Sequence, residues 1–156
     1  MRRTIKRRPP VAPDYKYNSR EVAILINYVM ERGKKNVARS IVYGALDEIK
    51  ESLKHDNPLE VLETALRNAG PVAEVRSRRI GGATYQVPRE VRPSRKLALA
   101  MRWIIGASKA KKGMPMHKRL AGELIAASKN EGEAIKKREN VTKMAEANRA
   151  FAHFAW

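Results

Sequence analysis

Arg78-Arg79-Ile80-Gly81-Gly82-Ala83-Thr84-Tyr85-Gln86-Val87-Pro88 is the stretch on which the fold turns. Two residues that accept positive φ stand between two extended segments, the pattern of a two-residue hairpin. The expectation is a protruding antiparallel ribbon over about 72–88. Between Val75 and Arg102 lie eight basic side chains (Arg76, Arg78, Arg79, Arg89, Arg92, Arg95, Lys96 and Arg102) and one acid, Glu90. Such a surface suits a polyanion, because each phosphate neutralised by Lys or Arg releases condensed counterions.

Outward from the ribbon the periodicity is helical. Upstream, Asn57-Pro58 opens a third helix with Glu60 and Glu63 in its first turns, and Gly70-Pro71 stops it. Earlier still, Asn18 with Glu21 at the third position caps a first helix whose apolar face is Val22, Leu25, Ile26, Val29 and Met30, ending at Gly33. Val37, Ile41, Ala45, Leu46, Ile49 and Leu53 are spaced for a second. Downstream, a fourth helix starts near Pro93-Ser94, runs through Leu97, Met101, Trp103, Ile104 and Ile105 to about 111, and is broken by Gly113 and Pro115. A fifth, near Met116–Ser128, buries Leu120, Leu124 and Ile125; a sixth, 134–148, has a thin face of Ile135, Val141, Met144 and Ala145.

The fold class expected is therefore mainly α: a six-helix bundle with a β-hairpin inserted between the third and fourth helices. Residues 14–156 form one domain. Residues 1–13 form a basic arm, in which Arg2, Arg3, Lys6, Arg7 and Arg8 precede Pro9, Pro10 and Pro13. Like-charge repulsion and the prolines leave that arm disordered until an anionic partner neutralises it.

The 156 residues carry 33 Lys+Arg against 16 Asp+Glu, a formal charge of +17, which points to an anionic partner. The charge is uneven. Asp47, Glu48, Glu51, Asp56, Glu60 and Glu63 are accompanied only by Lys50 and Lys54, whereas the arm, the ribbon, 109–119 and 136–138 are cationic. That asymmetry marks the second and third helices as a solvent-facing back. The chain has no cysteine, no apolar run of 18 residues and no apolar stretch near its start, so a soluble intracellular protein is expected.

Enzymatic chemistry lacks its residues. His55, His117 and His153 are far apart and have no second ligand at metal spacing, so neither a metal nor a catalytic site is expected. Gly106-Ala107-Ser108-Lys109 and Gly33-Lys34-Lys35 do not make a phosphate loop. No cofactor is implied. Tyr85 beside the turn could stack on an unpaired base or pack on the bundle, and Phe151, Phe154 and Trp156 could dock on the bundle, a neighbouring protein or RNA.

Five segments in order carry a family resemblance: Gly33-Lys34-Lys35; Ile41-Val42-Tyr43-Gly44-Ala45-Leu46; the ribbon from Arg79 to Pro88; Ala98-Leu99-Ala100-Met101-Arg102-Trp103; and Met144-Ala145-Glu146-Ala147-Asn148-Arg149-Ala150-Phe151-Ala152-His153. Along essentially its whole length the chain resembles bacterial-type small-subunit ribosomal protein seven. It departs at Thr142-Lys143, at Phe154-Ala155 and at Pro13-Asp14-Tyr15, where the family commonly has other residues.

The resemblance implies a non-catalytic structural component of the small ribosomal subunit in the cytoplasm, an organellar subunit being the alternative source. It would bind the 3′ major domain of the rRNA, organise the head and lie near the exit site. Implied rRNA contacts are Arg2, Arg3, Lys6, Arg7, Arg8, Arg76, Arg78, Arg79, Arg92, Arg95, Lys96 and Arg102, and the cationic set extends to Lys34, Lys35, Lys109, Lys111, Lys112 and Arg119. The hairpin tip (Ile80, Gly81, Gly82, Ala83, Thr84, Tyr85) and the sixth helix around Lys143, Asn148 and Arg149 would lie near exit-site tRNA and mRNA. Neighbouring ribosomal proteins, one of them on the platform, would be further partners.

Two other classes compete. A DNA-compacting protein fits the charge but lacks a groove-entering signature. A membrane-surface protein would need its apolar faces exposed, and those faces recur over six helices, where a shared core uses them better.

Overall fold

A computed structural model describes residues 10–54 and 57–154. The arm cations Arg2, Arg3, Lys6, Arg7 and Arg8, together with His55, Asp56 and Trp156, lie outside the described residues. Six helices follow in order: α1 (Arg20–Val29), α2 (Lys35–Leu53), α3 (Pro58–Ala69), α4 (Pro93–Ala110), α5 (Met116–Ser128) and α6 (Glu133–Ala147). Between α3 and α4 stand β1 (Ala73–Ile80) and β2 (Ala83–Glu90), and a terminal 3-10 helix covers Arg149–Phe154. No helix among the described residues is long and apolar enough to cross a membrane.

The fifth helix is the hub, packing against α2, α3, α4 and α6. Its Leu120, Ala121, Leu124 and Ala127 share one core with Leu25 and Ile26 of α1, Leu46 and Ile49 of α2, Leu62 of α3 and Met101 and Ile104 of α4. Truncating a fully buried member such as Leu46 removes transfer energy and leaves a cavity, costing about 2–5 kcal/mol. Ile125 and Trp103 pack at the edge of this core, half-buried.

Two expected faces shift. On α2 the buried set is Ala38, Val42, Ala45, Leu46 and Ile49, while Val37 is 55% exposed. Both sets repeat at helical spacing, and the neighbours α1 and α5 select the one containing Ala38. On α6 only Ala134, Ile135 and Ala145 are buried and Met144 is 52% exposed, because this helix lies against the rim of the bundle and the hairpin.

Helix ends follow local chemistry with one correction. The α1 cap is Ser19, whose hydroxyl accepts from the Val22 amide at 3.4 Å; Asn18 instead takes φ 47° and turns the chain into it. The α3 cap is the expected Asn57, accepting from the Leu59 amide at 3.2 Å ahead of Pro58. Gly70 ends α3 in an extended conformation (φ −77°, ψ 123°) ahead of Pro71, and the Lys96 stem lies against it: a Cβ there would stand 2.6 Å from Lys96 Cγ.

The hairpin is in register from Ala73 opposite Glu90 to Ile80 opposite Ala83, so the ribbon extends two residues past Pro88. Gly81 and Gly82 have φ 56° and 88°, as a type I′ turn requires. Helix α6 packs on β1, and the terminal 3-10 helix packs on β2.

Candidate nucleic-acid interface

The arginines at the ribbon root are organised by an acid, Glu74. Its carboxylate, mostly buried, takes Arg76 Nε at 3.4 Å and Arg95 Nη2 at 3.1 Å. Arg95 belongs to the first turn of α4, so one carboxylate joins the hairpin to that helix and holds two guanidinium groups side by side. Sequence reasoning did not single out Glu74; an acid next to a run of cations was the available signal.

From that junction a basic stripe runs along α4. Arg95, Arg102 and Lys109 are spaced by seven residues, and seven residues of α-helix return to the same face within about 20°. With 18 residues α4 is about 27 Å long, so it carries positive charge from the ribbon to the far side of the bundle. Arg102 is exposed, with its guanidinium carbon 5.9 Å from the centre of the Tyr28 ring. The seven-residue spacing is the sequence signal for this stripe.

At the far end the cations are partly tied to internal partners. Lys109 pairs with Glu31 at the end of α1, and this hydrogen bond holds the Glu31 carboxyl below the usual carboxylate range. Arg119 donates to the main-chain carbonyls of Lys109 and Lys111. Lys111 faces Glu123, a side chain with no exposure, at 2.6 Å. The other Glu123 oxygen accepts from the Ala134 amide at 3.1 Å and so caps α6 from α5. Lys111 is therefore committed to an internal pair as well as to the basic surface. Lys34, Lys35 and Lys112 are exposed.

Around the ribbon, Arg79, Arg89 and Arg92 are exposed, and Lys96 covers Gly70. Arg78 donates to the Phe154 carbonyl, drawing the terminal 3-10 helix onto β2. Gly81, Gly82, Ala83 and Thr84 at the tip are exposed, and Ile80 is half-buried. Tyr85 sits 5.3 Å from both the Phe151 and the Phe154 rings, so its ring packs within the molecule. Lys143 and Arg149 are exposed, while Asn148 closes α6 by donating to the Met144 carbonyl at 2.7 Å. Thr142 donates to the Arg138 carbonyl at 3.0 Å, one turn back on its own helix.

The segment before α1 is anchored to α2. Asp14 is buried; it accepts the Tyr43 hydroxyl at 2.8 Å and the Lys16 amide at 3.0 Å. Lys16 and the Tyr17 hydroxyl both bind Asp47, at 2.9 and 3.1 Å. Burial first, then the bond to Asp47, raises the Tyr17 phenol above its ordinary value. Asp47 thus neutralises a cation as well as lying on the acidic side. Glu51, Glu60 and Glu63 of that side are exposed, and Glu48 stands 4.0 Å from Lys118.

Among the described residues no group of three or more His, Cys, Asp or Glu could hold a metal ion. What the arrangement can do is present fixed positive charge to phosphate over an extended surface.

Comparison with known proteins gives the family. The family described as Ribosomal protein S7p/S5e matches residues 1–149. The "Small ribosomal subunit protein uS7" of Thermotoga neapolitana is 56% identical over 156 residues, covering all of both chains. Its namesake in Teredinibacter turnerae is 57% identical over 153 residues, covering 98% of this chain and 97% of its own. That of Thermotoga maritima is 55% identical over the full length of both. With the fold, the basic ribbon and a match over nearly every residue in agreement, this chain belongs to the Ribosomal protein S7p/S5e family.

Proposed function

We propose that this chain is a structural, non-catalytic component of the small ribosomal subunit and a primary binder of its rRNA, seated on the 3′ major domain, where it organises the head. The observation that carries the reading is the line of cations that runs from the Glu74-organised root along α4 through Arg95 and Arg102 to Lys109. The names of its relatives support the same assembly. A-form RNA hides its major-groove edges, so recognition is by shape, phosphate and 2′-hydroxyl, with sequence read only at unpaired bases. The exposed hairpin tip, with Lys143 and Arg149, faces exit-site tRNA and mRNA in this reading. Neighbouring ribosomal proteins, including one on the platform, cover other surfaces, and the protein resides in the cytoplasmic ribosome.

Binding to a 3′ major-domain transcript over a range of salt concentrations tests this. Each neutralised phosphate contributes roughly 0.7–0.9 to the slope of log K against log salt, so about 6–10 contacts give a steep line. Replacing Arg76, Arg79 and Arg102 together with Ala should flatten the slope by about 2–3 while the helical circular dichroism is unchanged. A flat wild-type titration, or equal affinity for duplex DNA, contradicts the proposal.

A further inference from the structure

Val37, exposed on the first turn of α2, and Ile41 one turn later line a groove of about 460 Å³ with Val29 of α1 and Met116 of α5. That volume lies within the roughly 300–1,000 Å³ of small-ligand sites, too confined for a duplex and sufficient for one nucleotide. Val37, with Ile41 half-buried beside it, gives the groove a small apolar wall open to solvent.

The rim says what kind. Arg32, Lys34, Lys109 and Arg119 border the groove, with one acid, Glu31, already paired to Lys109. Arg32 and Lys34 are exposed, and no side chain caps the α2 N-terminus, so the helix dipole adds positive potential at the same edge. Arg119 is held by two main-chain carbonyls, which fixes its planar group without spending it on a carboxylate. Apolar walls beside a guanidinium plane suit a base, and exposed cations at the mouth suit its phosphate.

We propose that this groove receives a single unpaired nucleotide of the bound RNA, its base against Val37 and Ile41 and its phosphate at Arg32 and Lys34. The inference rests on the RNA-binding reading and deepens it: the basic stripe of α4 grips paired backbone, while this groove receives a base turned out of a helix. An acidic peptide is the competing occupant.

The full chain with labelled Val, Ile and Met methyl groups separates these outcomes when titrated with hexauridylate, hexaadenylate, a blunt RNA duplex and a glutamate hexapeptide. The single strands should shift the methyls of Val37, Ile41 and Met116, and the duplex and peptide should not. Val37→Ser should weaken single-strand binding about tenfold, leaving duplex binding and circular dichroism unchanged, whereas Tyr15→Ser, at an exposed residue outside the groove and the ribbon, should change none of the three. Unmoved methyls at saturating oligonucleotide, an equal loss on duplex, or the same shifts with the peptide overturn the proposal. Tight binding to the 3′ major domain with a silent groove overturns this inference alone; no binding to that RNA overturns both.

Discussion

Glu123 does two jobs from one buried position, compensating Lys111 and capping a helix that supplies no side-chain cap of its own. Removing it leaves a donor unpaired at the start of α6, so Glu123→Ala should cost about 1–3 kcal/mol in urea unfolding. Glu123→Gln keeps an acceptor and should lose less. Glu21 behaves oppositely: burial, with the nearby Glu63 charge second, raises its carboxyl above the ordinary value of 4.5. A raised carboxyl penalises folding while ionised. The penalty is full above the raised value and vanishes as pH falls below 4.5, so Glu21→Gln should stabilise the protein at neutral pH and have no effect near about pH 4. Paired unfolding curves at the two pH values read the sign directly.

At the scale of elements, the hairpin depends on its two glycines. Gly82 at φ 88° has open space where a Cβ would go, so the obstacle to substitution is backbone strain alone. Gly82→Val should destabilise by about 1 kcal/mol or more and speed amide exchange in β1 and β2 before the helices are affected. The ribbon, the caps at Asn57 and Gly70 and the limits of α5 were legible because each rests on local chemistry within a few residues. Val37 and Met144 were misread as core because periodicity names a stripe, and only the neighbouring helices decide which edge of it is covered. Long-range pairings were out of reach: Glu74 with Arg95, Asp14 with Tyr43 and Glu123 with Ala134 join residues 21, 29 and 11 positions apart. Tyr85 could be narrowed to two roles in the sequence, and the Phe151 and Phe154 rings that occupy it come from the far terminus.

For the whole molecule, the seven-residue interval on α4 sets how its charges combine. Neighbouring cations stand roughly 10.5 Å apart along the axis, beyond the screening distance of about 8 Å at physiological ionic strength. Arg95, Arg102 and Lys109 consequently repel one another little, and the unbound fold bears them without internal protest. They also act as independent grips rather than as one cooperative clamp: Arg102→Ala and Lys109→Ala together should weaken affinity by the product of the two single losses. At low salt, where the ionic atmosphere reaches farther than the interval, that simple multiplication should break down.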